Sequence, residues 1–575
     1  LILGGDYMNF FLFKRKQKIW EKFYHKDERT VSMPEMSIYE FLEEQNKNRL
    51  QNTAINYFGN KMTYQELFQE IDICAKAMKS QGIRKGDVIS ICLPNVPESV
   101  ISFYAANKIG AIANMIHPLS AEEEIKKSIT DTKSVMLFTI NFNYKKIRNI
   151  LEETNLYKTI LVSPRDSMPK GMGTFYYFLE DRKVKLPKSN ESFMIWKDFQ
   201  NKGKNYNREV LNPTTWKDAA VILHSGGTSG TPKSIVLSNG NINVVIGQAR
   251  IALPENDDRD TMLGILPMFH CFGLVECTHY PLSIGACLIL VPKFDASRFD
   301  KLLRKYHPSI IPGVPTLFEA LISNKHMDDI NLSNVKYVVS GGDALNEERN
   351  LAVNDFLKAH HCRHGVVQGY GMTETSGGCV FSTTSSYTLG SVGIPLPSND
   401  MKIVNPDTKE EVDIGEVGEI LISGPSVMMG YLNDEKETNK VLEKDKKGVI
   451  WVHTGDLGYI DKNGCLFFVQ RLKRLIISSG YNVYPSHIEE VLNKHPAILN
   501  SCVVGVPHPY KVQVPKAYVV LKSEYKESLK LRSEIKEYCE KNLSKYMIPK
   551  EFVYRESLPK TMVGKVDYKQ LENEK

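Results

Sequence analysis

The chain has 575 residues, with 73 bases and 67 acids for a formal charge of +6, and 42% of its residues are hydrophobic against 24% charged. These are the proportions of a soluble globular protein of two or more domains, and they exclude a disordered chain. So small a net charge gives no case for nucleic-acid binding, and no run reaches the ~18 consecutive apolar residues of a membrane span. Ten scattered cysteines without a C-x-x-C pair fit reduced thiols in a cytosolic enzyme better than a disulfide framework or a zinc site.

The chain opens with Leu1, and Met8 offers an alternative start. Phe10-Phe11-Leu12-Phe13 precedes Lys14, Arg15, Lys16 and Lys18, the reverse of signal-peptide order. Two readings stay open for this segment: contact with an anionic membrane surface, or packing of its aromatics on the body, which is preferred. Apolar, β-rich runs then alternate with amphipathic helical stretches over the first four-fifths, as at 286–291, 335–340 and 365–368. That alternation predicts an α/β domain.

The stretch 224–234, His-Ser-Gly-Gly-Thr-Ser-Gly-Thr-Pro-Lys-Ser, follows directly on the apolar run 219–223. Glycines let backbone N–H groups converge on an anion, hydroxyls add donors, and Lys233 supplies a point charge, so this is the chemistry of a phosphate cradle. Thr231 and Pro232 separate the last glycine from Lys233, which breaks the spacing of P-loop kinases and ATPases. The blocks Gly341-Gly342-Asp343 and Gly369-Tyr370-Gly371 fall at strand ends, where open α/β sheets bind ligands. The cluster His360-His361-Cys362-Arg363-His364 lacks a second ligand group at metal-site spacing and reads as a polar turn.

From 401 to 470 the runs shorten to strand size and suggest a β-rich subdomain. After Arg471-Leu472-Lys473-Arg474 a compact α+β unit of about a hundred residues follows, which divides the chain into domains 1–472 and 473–575. In it Ser486-His487-Ile488-Glu489 predicts a capping box opening a helix with Ile488, Val491 and Leu492 on one face. Strands are expected at 502–506 and 516–521, then a helix with Leu531, Ile535, Tyr538, Cys539 and Leu543 at helical spacing.

Five blocks in this order resemble the adenylate-forming superfamily of acyl-CoA synthetases, luciferases and peptide-synthetase adenylation domains. They are the phosphate loop 224–234, Leu266-Pro267-Met268-Phe269-His270-Cys271-Phe272-Gly273, Gly369-Tyr370-Gly371-Met372-Thr373-Glu374, Thr454-Gly455-Asp456 with Arg471, and Pro559-Lys560-Thr561-Met562-Val563-Gly564-Lys565. Departures from the pattern are Val563 in place of serine, Ser234 in place of glycine and Asn239 in place of histidine, and none removes a charged catalytic group.

The resemblance implies that a carboxylic acid is activated by ATP as an acyl-AMP and passed to a thiol. It places ATP phosphates on Ser225, Gly226, Gly227, Thr228, Ser229, Gly230, Thr231 and Lys233. Glu374, with Thr228, is expected to hold Mg2+, since a hard cation takes oxygen ligands. Thr373 meets the α-phosphate, Tyr370 stacks on adenine within the block Gln368 to Met372, and Gly341, Gly342 and Asp343 form the opposite wall. Asp456 and Arg471 meet the ribose or phosphate, and His270 stands near the acyl carboxylate. Lys565 stabilises charge at the α-phosphate, riding on a small mobile domain that rotates about Lys473. Gly480 and Tyr481 line a pantetheine tunnel, and with no carrier domain after Lys575 free coenzyme A is the expected thiol. The acid is expected to be fatty, with an aryl acid as the alternative, in a pocket between 270–280 and 340–380 where Gly377 and Gly378 leave room. Loading of an acyl carrier protein, luciferase-type oxidation of the adenylate, a non-catalytic nucleotide-binding module and a P-loop NTPase are the rival readings.

Overall fold

The computed structural model describes residues 18–184, 186–210, 214–225, 233–343, 345–478, 481–508, 512–561 and 565–574, with the backbone alone for Ile477, Tyr481, Asn482 and Val512. The chain divides into two compact units. The larger comprises Leu1–Met401, Ile422–His453 and Asn463–Cys465, and the smaller Lys402–Leu421, Thr454–Lys462 and Leu466–Lys575. The expected pivot, Lys473, lies within the smaller unit.

Among the described residues the larger unit is built on two sheets with helices between their strands. One has nine strands, ordered Ile394–Pro395, Gly377–Phe381, Val366–Met372, Tyr337–Ser340, Ile310–Gly313, Thr261–Gly264, Cys287–Leu290, Thr53–Tyr57 and Asn60–Thr63. The other has eight and carries Ala219–Ser225 beside Lys233–Ser238. Parallel strands covered on both faces read as unbroken apolar runs rather than alternating ones. Met136–Ile140 is such a strand, buried at every position.

Side-chain caps start the helices where the sequence supplies them. Thr63 Oγ1 accepts the Glu66 N–H while the Glu66 carboxylate accepts the Thr63 N–H, opening Tyr64–Ser80. Ser238 does the same for Asn239–Ala252. Asn239, where the resemblance leads one to expect histidine, is fully buried and ties three segments: its Oδ1 accepts from the Ile38 N–H and Asn107 Nδ2, and its Nδ2 donates to the Thr215 carbonyl. The residue at 239 is therefore structural.

In the smaller unit Ile476–Ser478, Tyr481–Val483, Ile498–His508, Val512–Leu521 and Glu551–Arg555 form one sheet. The helix Pro485–Asn493 buries Ile488 and Leu492, and Leu529–Asn542 buries Leu531, Ile535 and Cys539, as the spacing predicts. The expected capping box is absent. Tyr484 is the N-cap and Pro485 the first helical residue, since proline's fixed φ suits the first turn. Ser486 instead donates its N–H and hydroxyl to Gln470 Oε1, and Glu489 accepts from the Val503 N–H and pairs with Arg474. The segment 360–364 is a polar turn: Arg363 and His364 both hold Glu255, at 2.8 and 3.0 Å.

Candidate active site

Two neighbouring parallel strands in the interior of the nine-stranded sheet, Tyr337–Ser340 and Val366–Met372, carry the glycine blocks towards their C-terminal ends, with Ser340 opposite Gln368. Gly341 donates its N–H to the Gly313 carbonyl, Gly342 turns at φ +79°, and Asp343 faces solvent. The second strand runs on past its expected end. Gly369 to Met372 continue as strand because Gly377–Phe381 folds back on them, pairing Tyr370 with Val380 and Gly371 with Gly378. Gly371 must be glycine, since a Cβ there would stand 1.9 Å from the Gly377 carbonyl oxygen. This hairpin gives Tyr370 a packing framework between its two glycines, and the residue is buried. Gln368 is buried as well and donates to the Ser391 carbonyl.

The turn at Thr373–Thr375 presents Glu374 into a cluster that pattern reading missed. Tyr431 Oη donates to Glu374 Oε1 at 2.8 Å, and both residues are buried. Burial and the Glu374 carboxylate raise the Tyr431 hydroxyl well above the usual phenol range, so it stays a donor. Lys233 Nζ lies 4.6 Å from the Tyr431 ring centroid and pairs with Glu437 at 2.8 Å, each partner 28% exposed. Lys233 is thus already neutralised by an acid of its own chain. The Lys233 hydrogen bond holds the Glu437 carboxyl below the ordinary glutamate range. Next to it, Ser234 stands 3.2 Å from His224 Nδ1, while His224 Nε2 meets Asn114 Oδ1 at 2.7 Å and the Ser128 hydroxyl at 3.0 Å. Burial lowers His224 to about 4, so the imidazole is neutral at physiological pH. Tyr431 and Glu437 lie some 200 residues from Lys233 on, and no local spacing signals them.

His270 precedes a π-helix, Phe272–His279, with its ring 4.8 Å from Phe269, which in turn lies 4.3 Å from His117. Such a wide turn re-aims side chains relative to an α-helix. Here it directs Glu276 at the Gly377-Gly378 backbone, where Oε1 accepts the Gly378 N–H at 2.5 Å. The room expected beside Gly377 is therefore filled, since a Cβ there would fall 2.0 Å from Glu276 Oε1. Burial pushes the Glu276 carboxyl up to about 8.

In the smaller unit Asp456 and Arg471 face each other across antiparallel strands, and Arg471 Nε meets Asp456 Oδ1 at 3.0 Å. The Asp456 side chain is 4% exposed and that of Arg471 40%. Thr454 and Gly455 build the approach: the Thr454 hydroxyl donates to the Ile420 carbonyl and accepts the Asp456 N–H, and Gly455 turns at φ +66°. Lys473 is exposed, and the Lys565 carbonyl accepts the Thr561 N–H at 2.7 Å. Gly226, Gly227, Thr228, Ser229, Gly230, Thr231 and Gly480, with the Tyr481 side chain and the N-terminal aromatic segment, lie outside the described residues; Ser225 ends its strand opposite Lys233.

Residues 42–432 match the family described as AMP-binding enzyme, and residues 487–565 match the AMP-binding enzyme C-terminal domain. The chain is 30% identical over 560 residues to a long-chain-fatty-acid–CoA ligase of Bacillus subtilis, covering 96% of this chain and 97% of that one. It is 32% identical over 513 residues to a probable 4-coumarate–CoA ligase 2 of Dictyostelium discoideum, covering 88% of each. The ATP-bound crystal structure of MatB from Rhodopseudomonas palustris shares the fold, with a TM-score of 0.81 at 22% identity over 93% of this chain and 98% of that one. Both family matches, the glycine blocks towards the strand ends and the full-length relatives agree: the chain belongs to the AMP-binding enzymes, on the acyl-CoA synthetase branch of the adenylate-forming superfamily.

Proposed function

We propose that this acid–CoA ligase acts on a fatty acid, using ATP and coenzyme A as co-substrates. The observation that carries the reading is the likeness over nearly its whole length to the Bacillus subtilis long-chain-fatty-acid–CoA ligase. In the first half-reaction a carboxylate oxygen bonds to the α-phosphorus of ATP and the bond to pyrophosphate breaks. In the second, the coenzyme A sulfur bonds to the acyl carbon, its proton is lost, and AMP leaves.

Charge neutralisation dominates such phosphoryl chemistry. Lys233 exchanges Glu437 for the outer phosphates, and Thr373 donates at the α-phosphate. Asp456 accepts from the ribose hydroxyls while Arg471, already 3.0 Å away, orients it. The buried Glu374 carboxylate beside the Tyr431 hydroxyl is an all-oxygen donor set that fits Mg2+, which would offset phosphate charge when bound. Lys565 acts in the first half-reaction, and Lys473 is the pivot between the two.

A panel of acids in ATP–pyrophosphate exchange tests the substrate, with CoA-dependent AMP release as the second readout. Long straight-chain acids should give the highest kcat/KM. The second reading, an aryl acid, is favoured by the Dictyostelium relatives named 4-coumarate–CoA ligases, and preference for 4-coumarate or benzoate would replace the first. Lys565→Ala should suppress acyl-AMP formation but spare conversion of supplied acyl-AMP, and Lys473→Pro should do the reverse; parallel losses in both assays would refute these roles.

A further inference from the structure

The helix Lys170–Leu179 is more apolar than the buried helix Pro97–Lys108 yet lies almost wholly in solvent. Gly173 is its one buried residue and Tyr176 is half-buried, whereas Met172, Phe175, Tyr177, Phe178 and Leu179 are 40, 64, 40, 55 and 47% exposed. At 100° per residue Met172, Phe175, Phe178 and Leu179 share an arc of about 120°. Gly173, whose Cβ position is 3.4 Å from the Arg165 carbonyl oxygen, seats the adjoining face on the body. Scattered exposed apolar residues need no explanation, but a contiguous aromatic patch does.

The patch is rigidly mounted. Just after the helix, Asp181 is buried and accepts from Ser163 Oγ at 2.6 Å and Asn141 Nδ2 at 2.8 Å. Arg165 pairs with Asp181 at 2.7 Å and lies 4.7 Å over the Tyr177 ring. The next residue along from Asn141, Phe142, is itself 44% exposed.

The surroundings are basic. Residues 170–188 carry Lys170, Arg182, Lys183, Lys185 and Lys188 against Glu180 and Asp181. Asp181 is buried and Glu180 is paired with Lys183 at 3.1 Å, so the field that reaches solvent is positive. A second copy of this chain would bring like charge against like, whereas an anionic surface complements it. No helix among the described residues is long and apolar enough to cross a membrane. A short helix with an aromatic face and flanking bases lies in the headgroup region instead.

We propose that the helix Lys170–Leu179 docks the enzyme on an anionic bilayer surface, with Met172, Phe175, Phe178 and Leu179 entering the lipid and Lys170, Arg182 and Lys188 meeting headgroup phosphates. The site shares no residue with those proposed to bind ATP and does not depend on which acid is activated.

Flotation with phosphatidylcholine vesicles, with and without phosphatidylglycerol, tests it on the full chain. Binding should require phosphatidylglycerol and weaken with salt. The pair Phe175→Asp and Phe178→Asp should lower the partition coefficient by at least about tenfold. Phe175→Leu with Phe178→Leu should retain binding, and Lys170→Glu with Arg182→Glu should abolish the preference for phosphatidylglycerol. Because these side chains are exposed, pyrophosphate exchange with a water-soluble acid should stay unchanged, which separates loss of docking from loss of fold. Equal binding to neutral vesicles overturns the proposal, as does full binding by the Asp pair, which would assign the contact to another segment such as 10–18. A dimer that the Asp pair splits into monomers would give the patch to a second copy and also overturn it.

Discussion

Two charged clusters, one in each unit, bring together residues expected to meet ATP, and they differ in what a ligand must displace. In the larger unit Lys233 is held by Glu437, with both side chains 28% exposed, above the buried Tyr431–Glu374 pair. In the smaller unit Arg471 is held by Asp456, which is itself the expected ribose ligand and is 4% exposed. Glu437 is only partly buried, so on the proposed reading phosphate would displace it from the lysine at little cost. Asp456 is desolvated and already charge-compensated, and its pairing with Arg471 aims a carboxylate rather than competing with the nucleotide.

Four substitutions break or sharpen that contrast. Glu374→Gln has the largest expected effect: it removes the charge that fits the cation, and acid-dependent pyrophosphate exchange should fall about 10⁴-fold, several kcal/mol, with ATP binding changed far less. Unchanged exchange at saturating magnesium would remove Glu374 from the mechanism. Asp456→Ala should cost about 2–4 kcal/mol of nucleotide interaction, because two hydrogen bonds to a charged acceptor go and Arg471 loses its partner. Calorimetric titration with ATP reads this directly, and an affinity within twofold of wild type would contradict the assignment.

Glu437→Gln should have the opposite sign. With its competitor neutral, Lys233 is available to phosphate, and ATP should bind about threefold more tightly at low salt, the gain vanishing at high salt. Weaker binding would make Glu437 a part of the site rather than a placeholder. The smallest effect lies away from both clusters, at Glu98, whose carboxyl is buried, accepts from the Ser167 hydroxyl at 2.6 Å and is pushed up to about 8 by desolvation. Between its ordinary value of 4.5 and about 8 the unfolded chain releases this proton while the folded one keeps it, so stability falls as pH rises across that window. Glu98→Gln should raise Tm at pH 8 and leave it nearly unchanged at pH 5; identical shifts at both would contradict a protonated Glu98.

How much of this was legible in the sequence depended on chain distance. Lys233 stood out because it sits in a short block whose glycines and hydroxyls carry their own chemical meaning, whereas Glu374, Asp456 and Arg471 stood out through the resemblance of the ordered blocks to the adenylate-forming family. Glu437, Tyr431 and Glu276 stand in ordinary stretches, and nothing near them in sequence marks a role. The capping box at Ser486 failed for a related reason: local propensity favoured it, but Gln470, sixteen residues away, offered Ser486 a competing acceptor.

Two helices separate what each level decides. Pro97–Lys108, with Glu98, Ser99, Ser102 and Asn107 along it, is buried at eleven of twelve positions, while the more apolar Lys170–Leu179 is buried at one of ten. By itself the sequence determined the α/β class, the order of the phosphate, glycine and acidic blocks, and the membership of the chain in the adenylate-forming family. The class follows from periodicity, the phosphate chemistry from residues that act over a few neighbours, and the membership from the resemblance of five ordered blocks to that family. Only the tertiary structure decided which acids neutralise Lys233 and Arg471, that Glu276 fills the space beside Gly377, and which apolar helix faces water. Burial and pairing are set by distances between chain segments, and those exist only once the sheets have assembled.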